Sequence, residues 1–202
     1  MSASDYTIDP GVSRFTALGV AGGMLSALGH DPIIGIRDLA GDVRFDADAP
    51  ERSWLRMRIP AACLEVQNQA SEKDRREMKR TMDREVLETA RYPDIDFEST
   101  GVRVTHGDAH SPRVELEGNL TLHGVTRPLR FPARVSVLGD MLRANGEFSV
   151  LLSDYRMKRP SVAGGTLKLK DQIKLVFDIA ARQKTGSVLA AGGGGHVPGD
   201  SG

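Results

Sequence analysis

A single cysteine, Cys63, leaves no partner for an intramolecular disulfide and excludes a Cys-based metal cluster. It lies in the apolar run Ile59-Pro-Ala-Ala-Cys-Leu64, where a small buried thiol is the expected role. No stretch approaches the roughly 20 consecutive apolar residues that cross a bilayer, so stable membrane insertion is not expected. Charge of one sign is also missing. The 27 basic and 27 acidic side chains cancel, which removes the net field that would recruit nucleic acid or an anionic surface. The opening MSASDYTIDP has no basic segment followed by an apolar one, so the expected location is cytoplasmic.

Catalytic signatures are absent too. No Gly-x-Ser-x-Gly elbow surrounds Ser13, Ser53 or Ser153, and no phosphate loop of the Walker type occurs. His106, His110 and His123 have neither i, i+4 spacing nor a nearby cysteine, which argues against zinc. His30-Asp31 is the most enzyme-like pair. Neighbours on a strand face opposite ways, however, and an Asp in a turn bounded by Gly and Pro more often caps its own backbone. No catalytic residue, metal or cofactor is assigned, and the chain reads as a non-enzyme.

What the chain has in quantity is alternation. From Val114 to His123, Val114, Leu116, Gly118, Leu120 and Leu122 share one face, and Glu115, Glu117, Asn119, Thr121 and His123 share the other. That is the period-two signature of a strand with one dry face. Leu129, Phe131, Ala133, Val135 and Val137 repeat it beyond the break His123-Gly-Val-Thr-Arg-Pro128, so the two runs predict a hairpin. Further strands are expected over Ser13 to Val20, from Ile34 to Phe45 in two parts, and over Trp54 to Ile59. Others are expected from Ile95 to Val104, Met141 to Leu152 and Leu167 to Ile179. Thr105 to Pro112 and the basic stretch Ser153 to Gly165, with Arg156, Lys158 and Arg159, read as loops.

One segment breaks the period. Ser71 to Ala90 opens on a capping pair, Ser71 and Asp74, and carries Met78, Met82 and Val86 at four-residue spacing, which predicts a long helix with an apolar stripe. About eight short strands, one long helix and no βαβ rhythm predict a mainly β, antiparallel eight-stranded up-and-down barrel in one domain. A barrel of that size either fills itself with side chains or holds one small ligand.

The segment Gly118-Asn-Leu-Thr-Leu-His-Gly-Val-Thr-Arg-Pro128 resembles the signature G-x-L-T-hydrophobic-H-G-V-T-K/R-P of the YceI-like family, lipid- or polyisoprenoid-binding proteins with a lipocalin-like barrel. Tyr6-Thr-Ile-Asp9, Gly41-Asp-Val-Arg-Phe-Asp46, Arg91-Tyr-Pro-Asp-Ile-Asp-Phe-Glu-Ser99 and Gly146-Glu-Phe-Ser-Val150 resemble further family motifs, in the same order. Val12-Ser13 stands where many members carry His-Ser, and Asp74-Arg75-Arg76 where they carry Arg-Asp, the marks of a divergent branch. The resemblance implies a barrel domain over residues 5–182 whose partner is an apolar, lipid-like small molecule.

The expected ligand-binding faces are Val114, Leu116, Gly118, Leu120, Leu122, Phe131, Val135, Ala144, Phe148, Val150, Leu175 and Phe177, with Met78 and Met82 from the helix. Cations at the mouth, Arg127 and the Arg156–Arg159 loop, are an alternative anchor for an anionic head. A stress-related or protein-interaction module with a filled barrel is the second reading, and an enzyme acting on a lipid-like substrate is a remote third. Edge strands of an imperfectly closed barrel would allow a homodimer. Residues 183–202, with glycine at 192 to 195, lack apolar periodicity and are expected to be disordered. Truncation after Gln183 is therefore expected to leave the melting temperature unchanged; a clear drop would show that the tail docks.

Overall fold

The structure is a computed structural model that describes residues 3–22, 31–69, 71–107, 111–159, 161–162 and 167–184. The side chains of 21–22, 161–162 and 167–168 are not included. His30, His110, Gly23, Gly29, Gly164, Gly165 and the tail from residue 185 lie outside the described residues.

The central hairpin follows its alternation. β9 (Arg113–Leu122) and β10 (Val125–Leu138) pair antiparallel from Leu122 opposite Val125 to Arg113 opposite Arg134. All five apolar-face positions of β9 are buried. The loop is shorter than its Gly and Pro suggest, because only His123 and Gly124 turn the chain, at φ 51° and 70°. Two successive left-handed residues match the twist of the flanking strands. Pro128 lies inside β10, opposite Asn119. A Cβ on Gly124 would come within 2.5 Å of the Tyr92 ring, so packing as well as φ selects glycine there.

Eight strands close the barrel in the order β1 (Ser4–Ile8), β5 (Ala40–Phe45), β6 (Trp54–Pro60), β8 (Asp94–His106), β9, β10, β11 (Met141–Leu151) and β14 (Gln172–Gln183), with β1 pairing back onto β14. The first strand is thus Ser4–Ile8, ahead of the expected Ser13 to Val20. Its alternation is confined to Tyr6 and Ile8, too short to read as a strand. β2 (Arg14–Leu18) continues it beyond a kink. At that kink the Ser13 hydroxyl donates to the Asp9 carbonyl (2.6 Å) and accepts the Ala180 N–H (3.0 Å), replacing the interrupted ladder.

Two more strands are broken in the same way. β4 (Ile33–Ile36) parts from β5 at Asp38, whose φ is 52°, and β7 (Leu64–Val66) parts from β6 at a 3₁₀ turn over Ala61–Cys63. The halves β2, β4 and β7 pair with one another as a flap extending from β14, and β7 does not pair with β8. β3 (Ala21–Gly22), β12 (Ser161–Val162) and β13 (Leu167–Leu169) form a small second sheet. The single strand expected over Leu167 to Ile179 is therefore two. They part at Lys170 and Asp171, where the Asp171 carboxylate accepts the backbone N–H and the hydroxyl of Ser153.

The helix follows β7. α1 (Glu72–Thr81) begins where expected: the Ser71 hydroxyl accepts the Asp74 N–H (3.1 Å) and donates to the Asp74 carboxylate (2.7 Å). It then widens into a π turn over Met82–Val86, with the Leu87 N–H donating to the Met82 carbonyl, and stops there rather than at Ala90. The wider turn lets both Val86 and Leu87 reach the core, and Glu88, at φ 47°, reverses the chain at once.

Outside, the balanced charge is used across strands. Arg56 pairs with Glu98, Arg58 with Asp96, Arg143 with Asp178, and Arg103 and Arg130 with Glu117. Each exposed pair contributes at most about 1 kcal/mol, and each favours the native register over a slipped one. Lys184 belongs to this wall, since its N–H donates to the Asp5 carbonyl and its ammonium pairs with Asp42, so the anchored chain extends one residue past Gln183.

His123 ties three connections together at one end of the barrel. Its side chain is 8% exposed; Nε2 is 2.7 Å from the Glu88 carboxylate beyond the helix, and Nδ1 is 3.1 Å from the Tyr155 carbonyl beyond β11. Tyr92 packs on the ring at 4.4 Å. His123→Ala should cost about 1–3 kcal/mol by stranding these partly buried acceptors, and Gly124→Ala a similar amount through strain. Chemical denaturation measures both. A wild-type midpoint for His123→Ala would refute the role of the imidazole as a tie.

Candidate functional site

The barrel encloses more space than its side chains fill. The outward residues Arg143, Asn145, Glu147 and Ser149 of β11 and Gln172, Lys174 and Val176 of β14 are exposed, as alternation demands, yet inward Ala144, Phe148, Ile173 and Leu175 also remain partly accessible. What they face is a cavity of about 750 Å³ inside the barrel. That volume falls in the range of sites that enclose a small molecule, roughly 300–1,000 Å³.

The sequence-derived wall is largely brought together. Val114, Leu116, Leu120 and Leu122 of β9, Phe131 and Val135 of β10, Ala144, Phe148 and Val150 of β11, and Leu175 and Phe177 of β14 all line the cavity, as do Met78 and Met82 of the helix. Gly118 does not. A Cβ there would lie 2.5 Å from both the Glu98 carbonyl oxygen and the Phe97 ring, so this glycine admits a close approach of strand and ring.

The first half of the chain contributes wall that the sequence reading left unassigned, including Phe15, Ile36, Met57 and Ile95. Aromatic rings knit the two halves. Phe131 stacks on Phe148 at 4.6 Å and meets Phe97 and Phe177 edge-on or tilted at 5.4 and 5.7 Å, while Phe15 approaches Phe148 and Phe177. Such contacts add about 0.5–1.5 kcal/mol each beyond area burial, so this part of the wall is stiff.

The polar residues that meet the cavity come from two segments. Asp74, Glu77, Thr81 and Glu85 come from the helical segment, and Ser53 and Trp54 from the start of β6 and the residue before it. The helical four are spaced three or four residues apart beside Met78 and Met82; that spacing was the available signal, and the Met stripe drew attention away from it. Among the described residues, no lysine or arginine lines the cavity. Of the basic loop, Met157 lines the cavity while its cations do not: Arg127 donates to the Asp154 carbonyl, Arg156 turns the chain at φ 56°, and Lys158 and Arg159 are exposed.

Cys63 is half-buried rather than buried and does not line the cavity; the Asp38 carboxylate accepts its thiol hydrogen bond and raises the thiol pKa. Ser53 accepts the Asp46 N–H, and Ser153 donates to Asp171.

Comparison with known proteins places this architecture. A model of the YceI-like domain matches residues 6–181. A UPF0312 protein of Pseudomonas savastanoi pv. phaseolicola is 32% identical over 175 residues, covering 83% of each chain. One of Azotobacter vinelandii is 33% identical over 172 residues, covering 84% of this chain and 76% of its own. Among solved structures, BcnA of Burkholderia cenocepacia superposes with a TM-score of 0.68 at 14% identity, covering 86% of this chain and 98% of its own. A polyisoprenoid binding domain from Saccharophagus degradans, implicated in plant cell wall breakdown, gives 0.64 at 13% identity, covering 89% and 98%. On the match across residues 6–181 and on these relatives, the chain belongs to the YceI-like family.

Proposed function

We propose that the protein is a non-catalytic carrier or sequestering protein for a long apolar molecule, such as an isoprenoid, held inside the barrel. The observation that carries this reading is the continuous apolar cavity of about 750 Å³. A barrel packed as a pure interaction module has no use for such a space, because empty apolar volume destabilises a core by about 24 cal/mol per Å³. The description of the Saccharophagus degradans domain as polyisoprenoid-binding supports the same reading.

The energetics suit a chain ligand. Burying about fifteen methylene groups at about 0.8 kcal/mol each releases about 12 kcal/mol. Association and ordering costs of at least about 4 kcal/mol leave dissociation constants near the micromolar range. Recognition then rests on length and shape along the Phe131, Phe148 and Phe177 wall, with polar contacts limited to the helical segment and the start of β6.

Natively purified protein should yield an extractable lipid by mass spectrometry, and the stripped protein should bind a fluorescent prenyl or fatty probe at micromolar concentration. Ala144→Phe puts a ring into the cavity and should weaken probe binding by about tenfold or more. The same protein without lipid and without probe binding would overturn the carrier reading in favour of the packed module.

A further inference from the structure

Among the described residues, the charged part of the cavity wall carries one sign. Asp74, Glu77 and Glu85 line the cavity beside Met78, Thr81 and Met82. Most cations of the helical segment are turned away, and Lys73, exposed, lines neither the cavity nor the groove. Arg75, Arg76, Lys79, Arg80 and Arg84 border a shallow groove against β7, where Lys79 pairs with Asp83 and Arg76 with Glu72. Helical periodicity thus sorts a segment of mixed charge into an acidic inner rim and a basic outer face.

The rim acids differ in their commitments. Asp74 is occupied by the Ser71 hydroxyl at the helix start. Glu77 and Glu85 are exposed, border the cavity and make no ion pair or hydrogen bond among the described residues. An anionic head drawn to this end would meet three carboxylates and no cation of the lining. A protonated amine would meet two uncommitted acceptors, and the wall below them is apolar.

Building on the carrier reading, we infer that the preferred ligand is an amphiphile with a cationic amine head, its chain in the barrel and its ammonium at the acidic rim that Glu77 and Glu85 form along the helical segment. This assigns the head-group end to the helix rather than to Arg127 and the Arg156–Arg159 loop. The neighbouring charges that oppose it are the cations of the outer helix face. Lys79 and Arg76 are offset by their partners, Arg75, Arg80 and Arg84 border the groove, and Lys73, one turn before Glu77, is the cation nearest the rim in sequence. Two exposed charge contacts correspond to a preference on the order of tenfold over an anionic head on the same chain.

The test uses the full chain and three ligands of one chain length, dodecylamine, dodecanol and dodecyl phosphate, below micelle-forming concentrations. Each displaces a neutral fluorescent apolar probe at low salt and again at high salt. Dodecylamine should bind about tenfold more tightly than dodecyl phosphate, and the preference should shrink severalfold at high salt. It should also collapse in the double variant Glu77→Gln, Glu85→Gln, while dodecanol still displaces the probe and the melting temperature stays the same. Equal or tighter binding of the phosphate, or a preference that survives in the double variant, overturns the head-group assignment and leaves the carrier reading intact. If none of the three binds, dodecanol included, the carrier reading falls and the head-group assignment falls with it.

Discussion

Closure of β1 onto β14 is the constraint on which everything else depends. The ladder is short, Tyr6 opposite Gln183 to Ile8 opposite Ala181, but it turns an open sheet with two edges into a ring. In a ring the two faces of every strand become an inside and an outside, and period-two alternation then sorts the whole chain at once. Ala181, fully buried at this seam, is small enough to let the strands meet. The outside takes up the balanced charge as cross-strand pairs, and the inside receives the aliphatic and aromatic side chains.

The interior is then left partly empty for reasons that are not the obvious ones. Small inward residues suggest room for a ligand, yet Gly118 and Gly146 lie under the rings of Phe97 and Phe177 and against strand backbone. Those two glycines pack aromatic rings flat against the wall. The usable space comes from Ala144, from the width of an eight-stranded ring, and from the flap of β2, β4 and β7 that bends outward at three kinks. The kinks are held locally, by the Ser13 hydroxyl, by Asp38 in the left-handed region and by the 3₁₀ turn at Ala61–Cys63. β7 pairs with β4 and not with β8, and the helical segment that follows it supplies one end of the cavity lining.

Legibility followed the length of each periodic signal. The hairpin of β9 and β10 offers about ten alternating positions on each side, so its faces and the part of the cavity wall they carry could be read directly, whereas its register could not, because Val125 to Pro128, expected as loop, pair within β10. The start of the helix was equally plain, because Ser71 and Asp74 are a local device. Its end was not: the stop at Glu88 depends on that residue taking up a left-handed conformation, next to a carboxylate contact with His123 that lies 35 residues away. β1 escaped notice because two inward residues make no period, and the strand is stabilised by partners at the far end of the chain.

Residue order alone determined the alternating faces, the single amphipathic helix, the balanced surface charge and the family motifs, because each is written within one strand or one helical turn. Tertiary structure decided which of those faces meet. It placed Phe15 of β2 against Phe177 of β14, filled the space over Gly118 with a ring, and gave His123 its tie between the helix exit and β11. It also decided that the acids of the helix, and not the cations of the basic loop, border the cavity. None of these follows from spacing along the chain, since each is a contact between segments whose separation in space is set by closure of the ring.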